Sequence, residues 1–520
     1  MNSKIINPVT LVIVALTFLQ ISQILIFDYA YFPIDDAYIY FQQAENLIKG
    51  HFFTYSIGSE LTNSNTSIFF YFVSALISII SKLLANYFSI ESVFLVVIVS
   101  TFLNILFASG SAVYLRKISG QITNSIKKDK AITLLVFTTP ALIFSFINGL
   151  ETGLTIFLIL VQYYFFSLRK YKFFTIISLI LSIHRPENIV LNFAYIFLLL
   201  SQLRNSEKKQ KKRYLFVVVI FLSCFITPIL NLYFTGDIRS AGAARTELPN
   251  LLDLFINLSS FIGVALTNPG SLPMHIDNFL MILRFGLTIL ILIFSITKSL
   301  NFFKKKNIKY FLKNMHKPKF SIPLVILSYI SLPLIVGSGA GEWARYLTPA
   351  LPLFYVFLFA YLCSERILKF VLFVNFLMFT TFVNSYLNMT SIYSSAIHPA
   401  ARQIKKITTD NDITSIDSAG FLAHHINGKI IDVYGLGTTR YMQIHGDFDR
   451  VYESIKNENI NYIITWLSKT PTYYLDSAHY EKVFGENNLK QISKFKVSPF
   501  TILDKFPEYL VIYKVENITR

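Results

Sequence analysis

The sequence predicts a polytopic α-helical membrane protein of about 11 transmembrane helices, followed by a small C-terminal α/β domain. Three observations lead to this fold class. The residues AVILMFWYC make up 53% of the 520 residues, whereas charged residues make up only 15%. As far as residue 386, the apolar residues form runs long enough to cross a bilayer. Beyond residue 386, the apolar runs shorten to the length of β-strands.

The membrane part is predicted from runs of apolar residues separated by charge. A helix needs roughly 20 apolar residues to cross a hydrocarbon core about 30 Å thick. Eleven runs are predicted spans: 8–27, 90–115, 131–147, 151–168, 173–183, 189–203, 214–234, 277–297, 321–337, 349–364 and 367–386. The run 173–183 is short, so we expect it to cross only where neighbouring helices bury it.

The run 67–84 is equally apolar, but its polar residues recur at intervals of four and three. On a helix they form one stripe: Ser67, Tyr71, Ser74, Ser78 and Ser81. A helix with an apolar body and a polar stripe can lie in the membrane interface instead of crossing it. We therefore predict an interfacial helix here, within a first outer loop of residues 28–89. The decision matters because counting this run as a span would invert every later loop.

The distribution of basic residues predicts the orientation. With eleven spans, 25 lysines and arginines fall on one side of the membrane and 6 on the other. The positive-inside rule then places the N-terminus in the cytoplasm and the C-terminal residues outside. The net charge of +17 therefore reflects membrane topology, and nucleic acid is not expected as a partner. The chain is therefore predicted to be a multi-pass membrane protein.

The predicted domains are a membrane domain of residues 1–386 and an extracytoplasmic α/β domain of residues 387–520. In the second domain, short apolar segments alternate with helical ones. The predicted strands are 413–416, 429–433, 461–465 and 509–513, and the predicted helices are 397–409, 418–426 and 449–458.

Acidic residues collect in the first outer loop. Residues 35–49 are predicted to form a short amphipathic helix after Pro33, with Asp35 and Asp36 at its N-terminus. These two side chains lie about 100° apart on a helix, so they face different ways. One could cap the helix while the other points into a cavity, or both could simply stabilise the positive helix end.

Further charged residues lie at the outer ends of later spans. Glu151 and Glu187 fall in the first turns of predicted helices, where an acid is also favoured for purely structural reasons. Arg185 is a candidate for binding phosphate or carboxylate through its planar fork. Arg345, between Trp343 and Tyr346, is predicted either to bind phosphate or to anchor the chain at the interface.

Short motifs in a fixed order resemble the GT-C superfamily of bacterial integral-membrane glycosyltransferases. The resemblance is to the arabinofuranosyltransferases of cell-wall assembly. The matching segments are Asp35-Asp36-Ala37-Tyr38, Gly50-His51, Thr66-Ser67, Gly149-Leu150-Glu151-Thr152, Arg185-Pro186-Glu187, Arg345-Tyr346-Leu347-Thr348-Pro349 and Asp432-Val433-Tyr434-Gly435-Leu436. Two positions depart from the family pattern: Phe52 follows His51, and Asn188 follows Glu187, where the family commonly has glycine.

The resemblance implies a GT-C-like fold and an inverting transfer of a single sugar from a polyprenyl-phosphate donor. The acceptor would be a glycan or a lipid-linked glycan. Asp36 or Asp35 would be the general base. Arg185 and Arg345 would bind the donor phosphate. Substrate-binding roles fall on Tyr38, His51, Thr66, Glu151 and Glu187.

No cofactor is firmly implied. The nine histidines show no metal-ligand spacing, and no glycine-rich phosphate loop is present in the sequence. A divalent metal ion held by Asp35, Asp36 and Glu151 is possible on residue type alone, because hard cations prefer carboxylate oxygens.

Two other functions compete with a transferase. Eleven spans and a basic cytoplasmic face also suit a transporter or a flippase of lipid-linked glycans. Transporter sites, however, lie near the bilayer midplane between repeats, and the sequence has no repeated halves. A polymerase that joins lipid-linked glycan repeats is the second alternative.

Overall fold

The computed structural model describes most of the membrane domain and the core of the C-terminal domain. The described residues are 7–59, 61–62, 65–123, 125–204, 211–236, 314–315, 317–335, 346–362, 364–417, 420–433, 448–467, 477–485, 488–498 and 508–516. The predicted span 277–297 and Arg345 lie outside them.

Helices dominate the chain as far as residue 407. They are α1 (Pro8–Phe27), α2 (Asp36–Ile48), α3 (Ile68–Phe88), α4 (Ser92–Thr123), α5 (Ile126–Val136), α6 (Pro140–Ile147), α7 (Thr152–Ser167), α8 (Tyr171–His184), α9 (Glu187–Arg204), α10 (Lys211–Ser223), α11 (Ile226–Thr235), α12 (Pro318–Ile335), α13 (Leu351–Phe357), α14 (Glu365–Ile392) and α15 (His398–Ile407). A π-helical turn, Tyr393–Ile397, joins α14 to α15. The domain boundary predicted after residue 386 therefore falls inside a helix.

Several of these helices suit a membrane by length and composition. Within the described residues, four helical segments are long and apolar enough to cross: Pro8–Phe27, Ile68–Phe88, Ser92–Thr123 and Tyr214–Phe234. The pair α5 and α6, bent by 61° at Pro140, makes a fifth if it counts as one span. Shorter apolar helices follow, so the polytopic helical fold is confirmed, while the count of eleven spans stays a prediction.

The short helix α8 packs against its neighbours along one face, whereas Phe173 and Ile176 on the other face are exposed. The Ser178 carbonyl and the Ser182 hydroxyl oxygen both accept hydrogen bonds from the Asn192 side-chain amide of α9. The carbonyl of Ser182 also accepts one from Thr227 of α11. Hydroxyl and amide pairs of this kind hold apolar helices together where no water is available.

The stripe predicted on the run 67–84 is buried in the protein. Ser74, Ser78 and Ser81 are at 0% exposure. The opposite face of α3 is apolar and exposed, with Phe72, Leu76, Ile79, Ile80 and Leu83. The polar stripe therefore packs against protein and the apolar face is available to lipid, so the stripe by itself does not separate an interfacial helix from a crossing one.

The C-terminal domain is a five-stranded mixed sheet with two helices packed on one face. Its strands are β1 (Ile413–Ile416), β2 (Lys429–Asp432), β3 (Tyr462–Leu467), β4 (Leu489–Lys496) and β5 (Tyr509–Val515), in the order β2-β1-β3-β5-β4. The helices are α16 (Phe448–Lys456) and α17 (Ser477–Phe484). Parallel pairs join β1 to β2 and β3, and antiparallel pairs join β5 to β3 and β4.

Four of the five strands match the predicted ones, and β4 is the addition. It carries Lys490, Lys494 and Lys496 and lies at an edge of the sheet. Charged residues are common on edge strands, because they hinder pairing with other chains. They also interrupt the run of apolar residues from which a strand is predicted, which is why β4 was not predicted.

Alternating residues of the sheet face two different cores. Ile464 and Ile512 pack with the membrane domain and α15, whereas Ile463 and Val511 pack in a second core with α16 and α17. The sheet is therefore fixed to the membrane domain over one of its faces, close to the first outer loop.

Candidate active site

The two acids of the first outer loop lie at the start of α2, as predicted. Asp35 precedes the helix and Asp36 is its first residue. Asp35 gives no side-chain capping bond to this helix. Its carboxylate instead accepts hydrogen bonds from the backbone N–H groups of Gly420 (2.7 Å) and Phe421 (2.9 Å) in the C-terminal domain. The Tyr393 hydroxyl lies 3.4 Å from the same carboxylate.

A chain of hydroxyl groups leads from α2 to the later motifs. The Tyr40 hydroxyl is 3.0 Å from that of Thr66, which donates to Glu151 at 3.2 Å. Tyr40 also accepts from the backbone N–H of Ser67 at 3.2 Å. Tyr40 stands four residues after Asp36, on the same face of the helix. Asp36 therefore lies on the face of α2 that reaches Thr66 one turn later through Tyr40, and it also interacts electrostatically with Tyr393.

Arg185 lies at the centre of a buried ion cluster. Its NH1 atom donates to Glu151 at 2.7 Å, and its NH2 and Nε atoms donate to the two oxygens of Glu187 at 2.8 and 3.1 Å. The side chain is only 1% exposed. The bidentate contact with Glu187 is the fork geometry that arginine forms with carboxylates. The structure thus brings the Gly-Leu-Glu and Arg-Pro-Glu motifs together, with the Thr-Ser motif joined to them through Thr66.

Local backbone geometry explains the shapes of these motifs. Gly149 has φ +76°, a conformation that disfavours a side chain, and a Cβ there would overlap the ring of Phe32. The Asn148 side chain accepts from the backbone N–H of Leu150, which tightens the turn into Glu151. Arg185 is extended before Pro186, as a residue preceding proline prefers. These turns set both acids beside the guanidinium.

His184 joins the same region from the end of α8. Its Nδ1 atom is 2.8 Å from the Ser67 hydroxyl, and its Nε2 atom is 2.9 Å from the Thr155 hydroxyl. Both ring nitrogens are therefore engaged, and the ring is fully buried. This histidine ties the start of α3 to α7 and α8.

The cluster carries a net formal charge of −1, from one arginine and two glutamates. Three of the five N–H groups of Arg185 donate to carboxylates, which leaves two for another acceptor. The guanidinium carbon also lies 4.8 Å from the centre of the Tyr346 ring, a cation–π contact. Arg185 is thus held rigidly from three sides.

Several buried polar atoms near this cluster have no hydrogen-bond partner among the described residues. They include Oε2 of Glu151, both amide atoms of Asn65, the hydroxyl of Thr152 and the hydroxyl of Tyr329. Buried polar groups are nearly always paired in folded proteins. Such a set beside a charged cluster is typical of a site that binds a polar ligand.

Two predicted substrate-binding residues lie apart from the cluster. His51 is exposed just after the C-terminal end of α2, at the opposite end of this helix from Asp35. Tyr38 is fully buried; its hydroxyl accepts from the backbone N–H of Phe32, and its carbonyl lies 3.0 Å from Nε2 of His424.

A metal site of Asp35, Asp36 and Glu151, which residue type alone left open, is not seen among the described residues. No group of three or more histidine, cysteine or acidic residues there is arranged to hold a metal ion. The reason is that Asp35 accepts from backbone amides and Glu151 pairs with Arg185. These partners draw the two carboxylates toward different neighbours.

Three contributors were not among the predicted site residues. Tyr40 connects α2 to Thr66, Gly420 binds Asp35, and Asp417 lies buried three residues before Gly420. Tyr40 carried a signal, since it lies one helical turn after Asp36. Asp417 and Gly420 lie in the turn after the predicted strand 413–416, where α/β sheets often place ligands, although ordinary turn chemistry explains such residues equally well.

Comparisons with known proteins bear on the fold. No protein-family model matches the chain, and no curated protein matches it either. Its structure is similar to that of ArnT from Cupriavidus metallidurans bound to undecaprenyl phosphate, with a TM-score of 0.52, 9% identity and 97% of each chain covered. A weaker likeness, TM-score 0.41 at 10% identity, relates 98% of this chain to 41% of the mycobacterial arabinofuranosyltransferase AftD. The ArnT likeness, over nearly the whole of both chains, shows that this chain shares the fold of that protein, in agreement with the GT-C-like fold that the motifs predicted.

Proposed function

We propose that this chain is an inverting glycosyltransferase. It transfers a single sugar from a polyprenyl-phosphate donor to a glycan or lipid-linked glycan acceptor. In this proposal the reaction takes place at the outer face of the bacterial cytoplasmic membrane, with the N-terminus of the chain in the cytoplasm. The donor, the acceptor and membrane lipids are the partners, and no nucleic acid is involved.

One observation carries the proposal: three motifs far apart in sequence meet through direct hydrogen bonds. Thr66 of the first outer loop binds Glu151, and Glu151 binds Arg185. Asp36 lies one helical turn from Tyr40, which contacts Thr66. A carboxylate and a guanidinium are thereby held on connected segments within one GT-C-like fold.

The chemistry follows from these groups. The carboxylate of Asp36 or Asp35 takes the proton of an acceptor hydroxyl, and the acceptor oxygen attacks the anomeric carbon. The bond between that carbon and the phosphate oxygen breaks, and the phosphate leaves with the electron pair. Attack from the opposite face inverts the anomeric centre, so no second nucleophilic carboxylate is required.

Arg185 is the proposed ligand of the donor phosphate, through the two N–H groups that do not donate to glutamates. The net negative charge of the Arg185 cluster repels the donor phosphate, so a second positively charged side chain is needed beside Arg185. Arg345, which precedes Tyr346 in sequence, is the proposed source. Both arginines would stabilise the charge that develops on the leaving phosphate.

The buried polar atoms without partners support a sugar as the bound group. A carboxylate oxygen, a carboxamide and two hydroxyls offer both donors and acceptors to a ring of hydroxyl groups. Glu151, Glu187 and Thr66 are therefore proposed to line the donor site. Tyr38 and His51 lie apart from the cluster but in the same outer loop as Thr66, and on that ground alone they remain proposed substrate-binding residues.

The direct test is transfer by the purified protein in lipid nanodiscs. Polyprenyl-phosphate pentoses and hexoses are offered as donors, and membrane glycan extracts as acceptors. We expect one added sugar, detected by mass spectrometry, with an inverted anomeric configuration, which NMR of the product would show. Ladders of products would instead indicate a polymerase, and movement of donor across the bilayer without a new glycosidic bond would indicate a flippase. Surface glycans compared with and without the protein would name the sugar.

A further inference from the structure

A short turn of the C-terminal domain enters the first outer loop. This docking turn comprises Gly420 and the 3₁₀ helix Phe421–His425. Its backbone N–H groups at Gly420 and Phe421 bind Asp35. Nε2 of His424 lies 3.0 Å from the carbonyl oxygen of Tyr38. One turn of six residues therefore contacts both the N-terminus and the first turn of α2.

The ring of Phe421 anchors the docking turn among aromatic residues. Its centroid lies 5.0 Å from Tyr38, 5.9 Å from Tyr393 and 4.9 Å from His425. Edge-to-face and stacked aromatic contacts at such distances are favourable beyond the area they bury. The ring is fully buried, so the two amides that bind Asp35 are held in a packed environment.

Glycine at position 420 is required by close approach. A Cβ there would overlap the backbone oxygen and the carboxyl group of Asp35. The φ and ψ angles of Gly420, −95° and −102°, lie outside the helical and extended regions that other residues prefer. The contact with Asp35 is a second reason for glycine, because a methyl group would push the two segments apart.

The docking turn also separates the two acids by role. Asp35 points toward the C-terminal domain, and its oxygens accept from two amides. Asp36 is rotated by about 100° from Asp35 and shares its helix face with Tyr40, which contacts Thr66. Of the two carboxylates, Asp36 is thus the one on the helix face that leads, through Tyr40 and Thr66, to the Arg185 cluster.

We propose that the C-terminal domain positions the catalytic loop: Gly420 and Phe421 bind Asp35, and this contact aims Asp36 at the substrate as the general base. The catalytic part rests on the proposed glycosyl transfer. The positioning part does not, because the contact between Asp35 and the docking turn can be measured without any substrate.

The positioning part is tested by hydrogen–deuterium exchange on the full chain in nanodiscs. In Asp35→Ala, we expect the amides of Gly420 and Phe421 to exchange about tenfold faster or more, because they lose their acceptor. Asp36→Ala is the matched control, with its change one residue away, and should leave both amides as protected as in the native chain. Unchanged exchange in Asp35→Ala, or equal acceleration in both variants, would overturn the positioning role. Should Asp35→Ala fail to fold, Gly420→Ala provides the same readout at Phe421.

The catalytic part is tested by kinetics per folded molecule. Asp36→Asn should lower kcat by about 10²–10⁴-fold, the usual range for a lost general base, with amide exchange unchanged. Gly420→Ala should lower kcat about tenfold while KM for the donor stays constant. If Gly420→Ala only reduced the folded fraction and left kcat per folded molecule unchanged, Gly420 would be merely structural. If Asp36→Asn kept native activity, the base assignment would be wrong, whatever the exchange result.

Discussion

Glu91 and His425 lie 334 positions apart in the chain, yet Nε2 of His425 is 3.1 Å from a carboxylate oxygen of Glu91. Glu91 lies three residues after the end of α3, and residues just before α3 contact the helix α2, on which the docking turn also packs. Thr66 and Ser67 bind Tyr40, two residues from the Tyr38 carbonyl that His424 contacts. Both ends of α3 are therefore connected to the adjacent histidines of one docking turn. A helix that crossed the membrane would place its two ends on opposite sides, so these contacts favour the interfacial position.

The topology of α3 can be tested with single cysteines in a chain whose Cys224 and Cys363 are replaced by alanine. Ile57 and Ile90 lie before and after α3 and are 49% and 43% exposed. We expect Ile57→Cys and Ile90→Cys both to react with a membrane-impermeant maleimide on intact cells. Ile126→Cys, at the start of α5, should react only after permeabilisation. Labelling of only one of the first two positions would show that α3 crosses the membrane.

Some of the fold could be predicted because its signals are local. The apolar run of α1 and the Asp-Asp start of α2 each depend on residues that are neighbours in sequence. The bond between Asp35 and Gly420 joins residues 385 positions apart, and no local pattern encodes it. The pairing of Arg185 with Glu187 could have been predicted, because the two residues are neighbours in sequence. The pairing of Arg185 with Glu151 could not, because it depends on the packing of α7 against α8 and α9.

Removal of Arg185 should destabilise the protein as well as stop transfer. The side chain is buried between two carboxylates. Loss of one partner of a buried ion pair costs about 3–5 kcal/mol, because the remaining charge is uncompensated. We expect a clear drop in melting temperature by scanning fluorimetry, with no measurable transfer.

A charge-balanced variant separates the two effects of Arg185. Arg185→Met combined with Glu151→Gln and Glu187→Gln removes the buried charges together. This triple variant should regain most of the lost melting temperature and remain inactive. Native transfer by the triple variant would exclude the ion cluster from catalysis.

Thr66 is expected to matter through its hydroxyl alone. Thr66→Val keeps the shape but removes the hydrogen bond to Glu151 and the contact with Tyr40. Each lost bond is worth about 1 kcal/mol, so we expect kcat to fall about 10- to 30-fold. Thr138→Val is the matched control, since that hydroxyl binds carbonyl groups of the preceding helix, α5. Equal kinetics of the two variants would remove Thr66 from the active site.

Asp417 should make the stability of the C-terminal domain depend on pH. Burial raises the pKa of its carboxyl group to about 8, although the Thr465 hydroxyl and the Trp466 N–H both donate to it. The unfolded chain has the ordinary aspartate pKa of about 3.9. The folded protein therefore binds the proton more tightly, and stability falls as pH rises from about 4 to about 8.

The variant that isolates this effect is Asp417→Asn, which is neutral at every pH. Its melting temperature should exceed that of the native protein by a margin that grows between pH 5 and pH 8 and then levels off. The native protein is the less stable of the two at higher pH, because its Asp417 carboxyl must then lose a proton that the folded state binds tightly, whereas asparagine has no such proton. Asp410→Asn, at an exposed turn of the same domain, should show no such trend. A constant difference across this pH range would mean that Asp417 is already ionised in the folded protein at pH 5.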